Sequence, residues 1–170
     1  MKVYTVLKPV HIKKHTEEYL MSVLNILSKK GYHVRHNGID GKDSKIVTVE
    51  QNLCYLPSDQ YLGLTNQLPK PKDEVIKWAT ELAQEYYKNF NTLSDLDKSR
   101  VLRNIYLLKG YNTTETEFVL YVPLDTNKQK HHSLEYIDFI FPLKLANILG
   151  INTVALNQFK LLGVVNHEQT

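Results

Sequence analysis

Short β-forming runs alternate with helix-period segments along almost the whole chain, and that alternation leaves few folds open. Residues 3–7 are a β-rich run closed by Pro9. Residues 15–30 then place Tyr19, Leu20, Val23, Leu24 and Leu27 at the i, i+3/i+4, i+7 spacing of an amphipathic helix. Gly31 follows where a helix stops most easily. A second strand is expected over 32–35, a short helix over 43–50 and a third strand over 52–56, ended by Pro57. Helices follow over 72–90 and 94–109, the latter opened by Ser94 with Asp97 three residues on, an N-cap signal. Residues 117–122 (EFVLYV) read as a buried strand, 132–149 as a helix stopped by Gly150, and 152–156 as a last strand. Strands separated by helices predict an α/β fold, a mostly parallel sheet with helices on both faces.

With 170 residues the chain suits one domain. That domain is expected over 1–157, with 158–170 as a C-terminal tail. The stretch 58–71, rich in Pro, Gly and Asn, reads as a loop or lid insertion. Net charge is +3 and the lysines are scattered, which argues against duplex nucleic acid, since that asks for a stripe of Lys and Arg. Cys54 stands alone, which excludes a disulfide framework and a cysteine-based zinc site. MKVYTVLKPV carries no apolar core of a signal peptide, and no stretch reaches bilayer-spanning length, so a cytoplasmic protein without membrane contact is expected.

The stretch most suggestive of chemistry is GYHVRHNGIDGKDS, 31–44, which holds three of the seven glycines. It starts at the carboxyl end of the second predicted strand, where parallel sheets bind ligands, and runs toward a predicted helix N-terminus, which favours an anion. Gly38 and Gly41 permit close backbone approach, and Asn37 tolerates the left-handed region. Asp40 can accept from ribose hydroxyls, and Arg35 can fork onto a phosphate. The plainer reading is that the glycines only make the turn and Asp43 only charges the helix start. On spacing alone the plainer reading is preferred.

Other features carry less. His11 and His15 have the i, i+4 spacing that suits zinc, yet no third ligand follows, so no metal site is expected. His131 and His132 read as part of a polar connector, and Trp78, Tyr86 and Tyr87 as helical core residues. Arg100 and Arg103 sit one helical turn apart, so both can reach one anion; the alternative is a pair of surface arginines. There is no G-x-S-x-G elbow and no Walker loop.

RHNGIDGKDS resembles the R-S-G-G-A-D-G-A-D-S signature of the SLOG superfamily, Rossmann-like nucleotide-binding proteins, in a branch found often in bacteriophages. SRVLRNIYLLKG, 99–110, is similar to that branch's A-R-N-V-Y-x-x-x-G helix at Arg103, Asn104, Tyr106 and Gly110. TEFVLYVPLD, 116–125, resembles its S-D-F-V-V-C-W-T-P-D strand with Glu117 for the aspartate, and ANILGINTVAL, 146–156, resembles its A-x-x-x-G-I-P-V-F-N-L. The likeness runs over nearly the whole chain and implies a Rossmann-like domain that binds a nucleotide-derived ligand. The ligand residues it implies are Arg35, Asn37, Gly38, Asp40, Gly41, Asp43, Arg103 and Asn104. It implies no further cofactor, and a homo-oligomer.

The departures from that pattern shape the expected activity. The family's first loop, G-I-G-S-R-x-T-P, falls on residues 7–15, which contain no glycine. Its G-G-T-G phosphate loop falls on IDFI, 137–140, and the glutamate of its F-E pair falls at Ile46-Val47. Without that glutamate there is no evident general base. The expectation is therefore binding or sequestration of a nucleotide signal of the cyclic-nucleotide or ADP-ribose type, serving a phage against host immunity. Two alternatives stand beside it. One is a nucleotide N-glycosidic-bond hydrolase of the LOG phosphoribohydrolase kind. The other is a protein-binding scaffold whose pocket has filled with its own side chains, with Phe139 and Ile140 where phosphate should lie and a host defence protein as partner.

Overall fold

Alternate residues of the first strand face opposite ways, and each way lies a separate core. A computed structural model describes residues 1–58, 61–64, 68–111, 114–124 and 136–159. Strands β1 (Lys2–Leu7), β2 (Tyr32–His36), β3 (Asn52–Cys54), β4 (Phe118–Tyr121) and β5 (Asn152–Ala155) form one parallel sheet in the order β3-β2-β1-β4-β5. Four helices accompany it: α1 (Lys14–Lys29), α2 (Asp73–Tyr86), α3 (Asp95–Lys109) and α4 (Phe141–Ile148). Tyr4 and Val6 pack with Leu20, Val23 and Leu24 of α1 on one face. Leu7 and Val119 pack with buried residues of α2, α3 and α4 on the other. The chain is thus a Rossmann-like α/β domain, with the amphipathic stripe of α1 on one face and a layer of α2, α3 and α4 on the other.

Helix α3 lies at the centre of that layer and is buried on nearly every side, from Arg100 and Val101 to Leu107 and Leu108. Ser94 caps it, its hydroxyl accepting from the Asp97 N–H at 3.2 Å, as the sequence predicts. Its last-turn carbonyls lack intrahelical donors and need partners elsewhere. The sheet supplies them. Thr5 and Arg35 are register partners across β1 and β2. Thr5 Oγ1 donates to the Leu107 carbonyl at 2.6 Å, and Arg35 Nη1 lies 3.5 Å from the same oxygen.

Three expectations change. The short helix predicted over 43–50 is instead two 3-10 turns, Gly41–Asp43 and Lys45–Thr48. The run Ile46-Val47-Thr48-Val49 is β-branched throughout and crowds an α-helical turn. The long helix predicted over 132–149 is a π turn, Tyr136–Ile140, leading into α4. Pro142 lies in the first turn of α4 and offers no N–H to the π turn before it, whose Ile137 and Asp138 carbonyls accept from the Asn104 and Asn37 amides. His131 and His132 lie outside the described residues. The helix predicted over 72–90 ends at Tyr86, and a 3-10 turn, Phe90–Thr92, follows.

The packed chain runs on past 157: Phe159 stacks on Phe118 with ring centroids 5.9 Å apart, and the Tyr19 hydroxyl donates to its carbonyl at 3.2 Å. The rest of the predicted tail, 160–170, lies outside the described residues. Among the described residues no helix is long and apolar enough to cross a membrane. Thr5→Val is expected to lower stability by about 1–3 kcal/mol, because it keeps the shape and leaves the buried Leu107 carbonyl short of a donor. Urea unfolding checks this; an unchanged midpoint contradicts it.

Candidate ligand-binding site

The strand order reverses between β1 and β4, so the carboxyl ends near that point frame the crevice where such sheets take ligands. Lys8, only 7% exposed, follows directly on β1 there, and β2 runs out into the glycine loop. Lys8 Nζ forms an ion pair with Asp40 of that loop. Next to them His36 is buried. Its Nδ1 accepts from the Gly38 N–H at 3.3 Å, which leaves the ring proton on Nε2, 3.2 Å from Asn52 Oδ1. Burial pushes the His36 imidazole down to about 4; the bond to Asn52 opposes this, and the charges of Arg103 and Lys8 add to it. Burial likewise pushes the Cys54 thiol up to about 11, so it is no nucleophile at neutral pH.

The glycines of the loop are covered by the chain itself. A Cβ on Gly38 would meet Leu56 Cδ2 at 2.9 Å and Cys54 Sγ and Leu64 Cδ1 at 3.0 Å. Gly41, at φ +60°, faces the carbonyl oxygen and Cβ of Leu62, itself in the left-handed region at φ 50°, ψ 35°. Leu62 and Leu64 of the 58–71 stretch therefore seat on the glycine loop; residues 59–60 and 65–67 lie outside the described residues. No α-helix begins after the loop, so the helix N-terminus that would have drawn an anion to it is missing. Asp43 is exposed on the first 3-10 turn.

The arginines lie deeper. Asp138, in the π turn and 2% exposed, accepts from Arg100 Nη2 at Oδ2 (2.7 Å) and from Arg103 Nη2 at Oδ1 (2.9 Å). Asn104 Nδ2 adds a contact to Oδ1 at 3.0 Å and lies 2.9 Å from the Arg100 carbonyl. Asn37 Nδ2 bridges Asn104 Oδ1 and the Asp138 carbonyl, both at 3.1 Å. Arg100 Nη1 also meets Asp97 at 2.7 Å. Burial works against the Arg100 charge, but Asp138 beside it outweighs this and holds the guanidinium above its usual value. The Tyr61 ring lies 4.9 Å from the guanidinium carbon of Arg103.

Arg35 stands apart from this cluster. It is 2% exposed, at the C-terminal end of α3, where the helix dipole favours a cation. The Tyr55 ring is 5.9 Å from its guanidinium carbon. Burial lowers its affinity for the proton, and Tyr55 opposes the shift.

The structure thus brings Asn37, Arg103 and Asn104 together around Asp138, covers Gly38 and Gly41 with Leu56, Leu62 and Leu64, pairs Asp40 with Lys8, and keeps Arg35 and Asp43 out of these groups. Sequence reading missed two residues. Asp138 is a lone carboxylate in an apolar run, YIDFIF, which is itself a signal when two arginines one turn apart need an anion. Lys8 follows directly on the first strand, where the switch point makes a cation informative. His11 precedes α1 while His15 lies in its first turn, so their helical spacing does not apply. Comparison with family models, curated proteins and solved structures yields no match.

The site makes stability depend on pH. His36 is held neutral in the fold, whereas the unfolded chain takes up its proton near 6.5. Acidification from 6.5 toward 4 therefore favours unfolding, by about 3 kcal/mol if the whole shift is realised. Urea unfolding at steps across this window, with His36→Asn alongside, is expected to show a shallower fall for the variant; parallel curves contradict the assignment.

Proposed function

We propose that this chain is a non-catalytic binding protein of the SLOG type, taking a nucleotide-derived anion at the crevice by Lys8 and Asp40. The observation that carries the reading is that Asp40 is held by Lys8, and Asp138 by Arg100 and Arg103. A carboxylate so engaged is a poor general base. A buried cation at the switch point supports anion binding, and the motif resemblance supports a nucleotide as its source. On this reading a phage-encoded copy, in the host cytoplasm and assembled as an oligomer, sequesters a signal made by host immunity.

A specific observation favours a second reading. Leu56, Leu62 and Leu64 cover the glycine loop, and Asp138 occupies the space between two arginines that a phosphate would claim. A domain that fills its own pocket serves as a scaffold, with the 58–71 stretch against a protein partner. The hydrolase alternative has no such support.

Mass spectrometry of small molecules released by heat, after incubation with a mixture of cyclic nucleotides and ADP-ribose derivatives, separates the three. An intact ligand recovered from wild type and lost in Lys8→Met and Asp40→Ala is the expected result. A cleaved ligand makes the chain an enzyme. Nothing recovered favours the scaffold and overturns the binding reading.

A further inference from the structure

Between residues 56–58, the start of α2 and one face of α3 lies a cavity of about 600 Å3, half open to solvent. Its apolar lining comes from Leu56, Pro57, Pro71, Ile76 and Leu102. Ile76 is 39% exposed, so this wall continues out onto the surface instead of closing around a small molecule. Tyr106 and Tyr111 form a second wall, their rings edge-to-face with centroids 5.0 Å apart and planes at 79°.

The polar groups decide what these walls can hold. Neither tyrosine hydroxyl has a hydrogen-bond partner among the described residues, and neither is sealed from solvent. Burial pushes the Tyr106 hydroxyl up to about 12 and raises that of Tyr111 as well, so both stay neutral donors. Arg103 lines the cavity but lends it no spare donor, since its Nε and Nη1 are sealed and the Tyr61 ring lies over the guanidinium. At the rim one exposed lysine, Lys70, stands against one exposed carboxylate, Asp73. That balance of charge suits an uncharged occupant, and the two hydroxyls suit one that offers carbonyl acceptors.

A proline-rich segment meets both conditions. Its backbone presents carbonyls and no N–H, and its rings pack on aromatic and aliphatic walls. Already extended as a left-handed helix, it gives up little freedom on docking. We propose that this groove docks an uncharged, proline-rich segment of a partner protein, its rings on Ile76, Leu102 and the tyrosine pair and its carbonyls toward the two hydroxyls. The groove is separate from the crevice by Lys8 and Asp40, and the inference stands whether or not that crevice takes a ligand.

The chain carries its own reporter. Trp78 is the only tryptophan, and its ring meets that of Tyr106 edge-on at 6.2 Å. Trp78 emission is followed during titration with a capped hexaproline peptide and, as control, a capped hexaglycine peptide, with calorimetry on the same samples in case the emission is silent. Hexaproline is expected to bind saturably, and hexaglycine, which has the carbonyls without the rings, at least tenfold more weakly. Tyr111→Phe, which removes only the hydroxyl, is expected to weaken hexaproline at least threefold. Ile76→Glu, which puts a charge on the exposed end of the apolar wall, is expected to weaken it at least tenfold. Neither variant touches Lys8 or Asp40, so a loss in them belongs to the groove. No saturable binding of hexaproline into the millimolar range overturns the inference, as does equal binding of hexaglycine or an affinity within twofold of wild type in both variants. Sedimentation of the chain alone as a dimer that Ile76→Glu dissociates would assign the groove to a second copy and overturn it too.

Discussion

One buried carboxylate, Asp138, holds the polar interior of this domain together. It faces Arg100 and Arg103 from α3 and the Asn104 amide, while its main-chain carbonyl takes the Asn37 amide from the end of β2. Three segments far apart in sequence are thereby joined: the outlet of β2, the middle of α3 and the π turn before α4. A charge so deeply buried is tolerable only when paired and hydrogen-bonded at both oxygens, and Asp138 is. Helix α3 could not otherwise carry two arginines and an asparagine on faces that α2, α4 and the sheet all cover.

The same contact governs what the site can do. Guanidinium groups that would grip a phosphate are already turned to an internal anion, and the glycines that would let a phosphate approach are covered by Leu56, Leu62 and Leu64. What remains near solvent is the Lys8–Asp40 pair at the switch point and the cavity bordered by Arg103. At the first the Asp40 carboxylate is held by Lys8, and at the second the lining carboxylate is Asp73.

Much of the fold was legible because it rests on local pattern. The stripe of Tyr19, Leu20, Val23, Leu24 and Leu27, the Ser94 cap and the alternating β runs each act over a few residues, and each stands as read. The 43–50 helix failed for a local reason that was also visible, four consecutive β-branched residues. Arg35 misled for a different reason: its partner, the Leu107 carbonyl, is 72 positions away and becomes a neighbour only when β2 and α3 pack. Asp138 was passed over because an apolar run hides a single charge until the two arginines are known to face it. Polar networks of this kind belong to tertiary structure, and short-range spacing does not encode them.

The most direct measurement is the unfolding free energy of Asp138→Asn against wild type in urea at neutral pH. The substitution keeps shape and size, removes the charge and turns one of the two acceptor oxygens into an NH2 donor. The account predicts a loss of about 3–5 kcal/mol, since it leaves the buried Arg103 guanidinium without a carboxylate and Arg100 with Asp97 alone. A loss within about 0.5 kcal/mol of zero, the range of ordinary surface substitutions, would mean that the fold does not depend on this contact.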